Sequence, residues 1–134
     1  MTVLRVLHVD DEPDIRAIVQ IALRLDPEIS LQNCGSGADA LIVATDKDLI
    51  LLDVMMPDMD GPTTLAHLRE SPKTANIPVV FMTARAQASE LKHFLSLGAA
   101  GVIAKPFDPM QLAAEVRRFS QAGRIENMLY ASSR

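Results

Sequence analysis

Leu49-Ile50-Leu51-Leu52-Asp53 is the stretch on which the fold turns. Four apolar residues run without polar alternation and stop at a carboxylate. A strand with one face in water would alternate. A short continuous run is expected of a strand covered on both faces, as in a parallel sheet. Leu4–Val9 reads the same way, and Ile29–Asn33, Val79–Met82 and Gly101–Ala104 are three further short runs rich in Val, Ile and Leu. Longer stretches with helical spacing separate them. Pro13 opens the first, with Ile15, Ile18, Val19, Ala22 and Leu25 expected on one face up to Leu25. Gly35–Thr45 carries Ala38, Leu41 and Ile42, and Thr63–Glu70 carries Leu65 and Leu68. Ala86–Leu97 carries Leu91, Phe94 and Leu95 and is stopped by Gly98. Asp108 reads as an N-cap with Pro109 at the first helical position, followed by Leu112, Val116 and Phe119. Strand and helix thus alternate five times. This predicts an α/β domain of (βα)5 type, with a parallel sheet between two helical layers and right-handed crossovers.

Composition narrows the class. In 134 residues, 49% are hydrophobic and 22% charged, which excludes a disordered chain. Asp plus Glu (17) outnumber Lys plus Arg (13), so a general affinity for nucleic acid is not expected. A single cysteine, Cys34, excludes an internal disulfide framework and a cysteine-based zinc site, and His8, His67 and His93 show no ligand spacing. No apolar run approaches the roughly 18 residues of a membrane span. The N-terminus lacks a cleavage signal, so the cytoplasm is the expected compartment. The division expected is one domain over residues 1–120 and a tail over 121–134, in which Gly123 interrupts any helix and Ile125, Met128 and Leu129 cluster. The tail is too short for an output domain.

In an open α/β sheet the ligand crevice lies at the carboxyl ends of the strands. Those ends carry Asp10-Asp11-Glu12, Asp53, Thr83-Ala84-Arg85 and Lys105-Pro106-Phe107. Taken singly, each aspartate reads as a turn former, Thr83 as a helix cap and Lys105 as a surface charge. Five such residues at four strand ends are not explained as caps. Asp10, Asp11 and Asp53 would repel one another, and Lys105 supplies only one positive charge. Carboxylate oxygens without imidazole or thiolate select a hard ion, Mg²⁺ or Mn²⁺. An aspartate beside such an ion is a nucleophile toward phosphoryl groups, with Lys105 and the Thr83 hydroxyl placed to balance the phosphoryl oxygens.

Val9-Asp10-Asp11-Glu12-Pro13, Leu51 through Gly61 (LLDVMMPDMDG), Met82-Thr83-Ala84 and Lys105-Pro106-Phe107 resemble, in order, the receiver domain of two-component response regulators. The resemblance covers about Leu4 to Phe119. It implies a flavodoxin-like sheet in the order 2-1-3-4-5, and phosphorelay signalling in which Asp53 takes a phosphoryl group from a phosphohistidine of a histidine kinase or phosphotransfer protein. It further implies Asp11 and Asp53 as side-chain ligands of Mg²⁺, Asp10 reaching the ion through water, and the Met55 carbonyl as a further ligand. Thr83 and Lys105 match the phosphoryl-contacting pair, and Lys105-Pro106 a bond that is usually cis. Kinase docking is implied for the first helix, Pro13–Leu25, and the candidate target-contact surface is the fourth helix, fifth strand and fifth helix, bounded by Ala86–Leu97 and Asp108–Phe119.

One position departs from the family pattern. Three residues before Lys105, where Tyr or Phe is usual, this chain has Val102. Valine has no ring to swing, which leaves two routes: activation through Thr83 and the loop before the fourth helix, or a domain that mainly relays phosphate and needs little conformational change. Met55 and Arg85 flank the expected path of an attacking water, which points to a moderately long-lived phospho-form. The expectation is a non-enzymatic monomer whose only chemistry is its own phosphorylation and dephosphorylation, and which signals by protein contact. Alternatives are a phosphorelay shuttle or phosphate sink, and a receiver cut from a hybrid kinase. An Asp-nucleophile phosphatase would need a general acid where Met55 stands. A flavin-binding domain would not place Asp10 and Asp11 at its phosphate loop.

Overall fold

The computed structural model describes residues 3–121. Strands β1 (Leu4–Val9), β2 (Ile29–Cys34), β3 (Leu49–Asp53), β4 (Val79–Thr83) and β5 (Gly101–Ala104) form one sheet in the order β2-β1-β3-β4-β5. Each neighbouring pair is parallel. Helices α1 (Pro13–Leu23), α2 (Gly37–Val43), α3 (Gly61–Glu70) and α4 (Ala88–Ser96) connect the strands, and a short 3₁₀ turn, Ala44–Asp46, follows α2. A fifth helix, α5, covers 112–121. This is the flavodoxin-like (βα)5 arrangement.

The run at Leu49 behaves as its composition demands, because all five residues of β3 are buried. Successive side chains go to opposite faces. Leu49 and Leu51 join Leu4, Val6, Val19, Leu23, Leu112 and Val116 under α1 and α5. Ile50 and Leu52 join Leu7, Val9, Ala40, Leu65, Phe81 and Phe94 under α2, α3 and α4.

The helices differ in detail from their periodicity. α1 ends at Leu23, and its buried side is Val19, Ala22 and Leu23 with half-buried Ile15; Ile18 and Leu25 face out with Ile21. In α2, Ala38 and Ile42 are exposed, while Ala40 and Ala44 of the following turn are buried. Alanine at the contact lets the helix approach the sheet closely, so the large residue turns to solvent. Leu95 of α4 is likewise exposed. α3 starts at Gly61 rather than Thr63, with Asp60 as N-cap accepting from the Thr63 N–H at 2.8 Å. Asp108 does not cap α5. Its carboxylate accepts from the Met110 N–H at 2.9 Å in a local turn, and its carbonyl accepts from Gln111, so the helix begins after Gln111. Gly98 ends α4 at φ 99°, with its own N–H on Leu95 and that of Ala99 on Phe94, a Schellman closure. The expected tail lies outside the described residues from 122 onward.

Arg117 of α5 ties down the turn after α1. Its Nε and Nη2 donate to the two Asp26 carboxylate oxygens at 2.8 and 3.1 Å. That guanidinium holds the Asp26 carboxyl below the usual aspartate range. The pair is partly exposed, so Arg117→Gln is expected to cost about 1 kcal/mol or less at neutral pH. A depressed carboxyl pKa gives stabilisation that is full above the unfolded value and lost as pH falls through the folded one. The difference between the two proteins in denaturant unfolding should therefore close in acid.

Candidate functional site

The parallel sheet delivers five side chains to one rim. Asp10 and Asp11 follow β1, Asp53 and Thr83 are the last residues of β3 and β4, and Lys105 follows β5. Asp10, Asp53 and Thr83 are buried, and Asp11 and Lys105 are half-buried. Lys105 Nζ donates to Asp10 Oδ2 at 2.8 Å and to Asp53 Oδ1 at 3.0 Å. One oxygen from each of Asp10, Asp11 and Asp53 lies within 4.8 Å of the others. Asp10, Asp11, Asp53 and Lys105 therefore lie together.

The electrostatics are unbalanced, with three carboxylates facing one ammonium. Burial pushes the Asp53 carboxyl up. The Lys105 bond opposes this, and the charges of Asp10 and Asp11 add to the rise. Burial also pulls at the Lys105 ammonium, but its bonds to Asp10 and Asp53 outweigh that and hold it above its usual value, so it stays charged. The oxygens are unequally used. Asp10 spends Oδ2 on Lys105 and Oδ1 on the Glu12 N–H at 2.9 Å. Asp53 uses only Oδ1 among the described residues. Asp11 Oδ1 is buried with no partner among the described residues. A buried carboxylate oxygen without a donor is costly. The donor set fits a divalent hard cation: it is all oxygen, anionic and partly unsatisfied. Its spacing is comparable to the roughly 4.2 Å between opposite ligands of an ion with oxygens at about 2.1 Å. Asp10, already occupied on both oxygens, is the member suited to contact through water.

A cleft of about 220 Å³ opens beside the cluster, lined by Glu12, Asp53, Met55, Thr83, Ala84, Arg85 and Lys105. The Thr83 hydroxyl accepts from the Arg85 N–H at 3.0 Å, which leaves its own hydrogen free to donate. The Met55 side chain is exposed on the cleft wall, and its carbonyl accepts no hydrogen bond among the described residues. Arg85 is exposed and forms no ion pair with Glu12 across the cleft. The Lys105–Pro106 bond is cis. Val102 is half-buried and packs against the core under α2, α3 and α4.

The loop after β3 is pinned tightly to Asp53. Val54 donates to Met82 and accepts from Gly61, and Asp58, at φ 68°, lets Met59 bond back to Pro57. A Cβ on Gly61 would stand 2.5 Å from the Asp53 carbonyl oxygen and 2.9 Å from Val54 Cα. Both neighbours are backbone and cannot swing aside. Gly61→Ala is expected to destabilise the fold by about 1–3 kcal/mol. Thermal melting checks it, and an unchanged midpoint would contradict the close approach.

Sequence reasoning missed a second set of polar residues behind this rim. His8, fully buried on β1, is in register with Asn33 on β2, which reaches Gln20 and Arg16 of α1. The available signal was a histidine inside an otherwise apolar strand.

A family model described as the response regulator receiver domain matches residues 6–117. The chain is 37% identical over 114 residues to the DNA-binding dual master transcriptional regulator RpaA of Synechocystis, covering 84% of this chain and 47% of that protein. It is 37% identical over 118 residues to the response regulator PleD of Caulobacter vibrioides, covering 87% of this chain and 26% of that one. The chain thus spans less than half the length of these curated relatives. Among solved structures, the chemotaxis response regulator CheY4 of Vibrio cholerae superposes with a TM-score of 0.80 at 29% identity, covering 88% of this chain and 99% of that one.

Proposed function

The chain belongs to the receiver-domain family of two-component response regulators, and from that premise we propose that Asp53 is its phosphoryl acceptor. The observation that carries this is the Lys105 ammonium shared between Asp10 and Asp53 at the edge of the cleft that Thr83 also lines. Asp53 Oδ2, the oxygen not held by Lys105, attacks the phosphorus of a phosphohistidine. The new O–P bond forms as the N–P bond breaks, and the imidazole leaves with the bonding pair. Little covalent work falls to the protein, so rate comes from positioning and charge.

Lys105 holds Asp53 in place and offsets part of the cost of its charge, and the Thr83 hydroxyl donates to an oxygen of the transferred group. Asp11 and Asp53, with Asp10 through water and the Met55 carbonyl, would hold Mg²⁺ or Mn²⁺. When bound, that ion neutralises charge on the phosphoryl oxygens. The receiver unit is residues 1–120, and no turnover of a separate substrate is proposed.

Partners of receiver domains are histidine kinases or phosphotransfer proteins. Here the exposed Ile18, Ile21 and Leu25, on α1 and just past its end, offer such a partner an apolar face. The downstream partner is proposed to be a protein that contacts α4, β5 and α5, with the receiver itself a monomer. A phosphate shuttle or sink is the second reading, favoured by Val102, which cannot act as an aromatic switch. No helix among the described residues is long and apolar enough to cross a membrane, and the cytoplasm is the proposed compartment.

The test is intact-mass measurement after incubation with acetyl phosphate and Mg²⁺. One phosphoryl group per chain, absent when the metal is chelated, is expected. No adduct across a rapid time course would overturn the assignment.

A further inference from the structure

The polar residues behind the rim form a closed circuit that returns to the site. His8 Nδ1 lies 2.7 Å from Asn33 Oδ1. The Asn33 amide donates to Gln20 Oε1 at 3.2 Å and to the Arg16 carbonyl at 3.4 Å. Both of those are acceptors, which fixes the amide orientation and makes His8 Nδ1 the donor. The Arg16 guanidinium then donates through Nη1 to the Asp10 carbonyl at 2.7 Å. The circuit leaves β1 at His8, crosses β2 and α1, and returns to the chain at Asp10, the residue after β1. It encloses no known ligand, and neither Arg16 nor Asn33 reaches the reacting atoms.

What the circuit does fix is one peptide plane. The Asp10 carbonyl belongs to the peptide that joins Asp10 to Asp11. Asp10 is already held by its N–H on the Cys34 carbonyl at 3.1 Å and its carboxylate on the Glu12 N–H. Arg16 supplies the remaining constraint, so the rotation that aims the Asp11 carboxylate is set from α1. Asp11 carries a buried oxygen with no partner among the described residues. Arg16 is itself seated closely, since a Cβ on Gly35 would come within 3.3 Å of its Nη1.

We propose that Arg16 is a positioning residue for the cation site, acting through the Asp10 carbonyl to aim Asp11, with Asn33 and His8 holding the turn of α1 that presents it. This inference rests on the reading of the acidic cluster as a Mg²⁺ site. Coulomb's law alone predicts the opposite sign for its loss. Removing a positive side chain close to a cation site should tighten cation binding. Removing a positioning group that acts on a ligand from outside the coordination shell weakens it, typically by about 10–100-fold.

The experiment is calorimetric titration of the metal-free protein with Mg²⁺, comparing wild type, Arg16→Gln and Gly35→Ala, with melting of each metal-free form. Arg16→Gln is expected to weaken Mg²⁺ binding by about tenfold or more while the metal-free melting temperature moves little. Gly35→Ala keeps the charge but crowds the guanidinium, and should shift affinity in the same direction by less. It also serves if Arg16→Gln does not fold. Wild-type binding with unchanged or tighter binding in both variants overturns the role of Arg16 and leaves the metal site standing. No Mg²⁺ binding by wild type overturns both.

Discussion

Asp53→Asn is expected to abolish the phosphoryl adduct altogether. The amide is nearly isosteric with the carboxylate but lacks its charge, and its nitrogen is no nucleophile toward phosphorus. Intact-mass measurement with acetyl phosphate and Mg²⁺ should show the unmodified chain alone, and a persistent adduct would move the acceptor elsewhere, with Asp11 and its unpaired oxygen the next candidate.

Two thermodynamic signatures should accompany the loss. Mg²⁺ should raise the melting temperature of the wild type by linkage, and the variant should show a smaller rise because one ligand is gone. The metal-free variant should also be the more stable protein at neutral pH. Burial and the neighbouring aspartates raise the Asp53 carboxyl in the folded state, so the folded chain holds that proton more firmly than the unfolded one. Stability from such a group is full below its unfolded pKa and declines as pH rises through the folded value. The stability gained by Asp53→Asn should thus grow from acid toward neutral pH in chelator. A gain that is flat across that range would remove the electrostatic account of the cluster.

The fold was legible because its strands are buried on both faces. Leu49 through Leu52 could be read from composition alone, and the rim residues followed from where each strand stops. The helical faces were less legible, for a physical reason. Periodicity marks where large apolar residues are, but the fully buried apolar contacts of α2 and the turn after it are Ala40 and Ala44, with Leu41 and Val43 only half-buried, and Ile42 is left in solvent. α1 shows the same limit, because Ile18, Ile21 and Leu25 form an apolar row that does not face the core. Asp108 was misread because a carboxylate before a proline serves a local turn as well as a cap, and the chain spends it on Met110. The Arg16 circuit depends on the pairing of His8 with Asn33, which the strand register alone brings together. Its consequence reaches the site through a backbone carbonyl, which no residue type announces.

Lys105→Met is expected to give the largest change in stability. Methionine keeps the volume of the lysine stem and removes the ammonium. Side-chain exposure is 16% for Lys105, 0% for Asp10 and 7% for Asp53, so this ion pair belongs to the buried regime. Removing one partner from a buried pair leaves uncompensated charge and costs about 3–5 kcal/mol, a large share of the roughly 5–15 kcal/mol that holds a domain together. In chelator, melting should therefore fall well below that of the wild type. Mg²⁺ should then recover more stability in the variant than in the wild type, since the ion takes over the place of the ammonium among Asp10, Asp11 and Asp53 and no ammonium repels it. The two responses separate the structural role of Lys105 from its role toward the phosphoryl group. Saturating Mg²⁺ should restore folding, but adduct formation from acetyl phosphate should stay slower than in the wild type, because the phosphoryl oxygens lose their ammonium partner. Melting in chelator equal to that of the wild type would show that Asp10 and Asp53 are satisfied without Lys105. Restored folding with a wild-type phosphorylation rate would confine Lys105 to holding the cluster together.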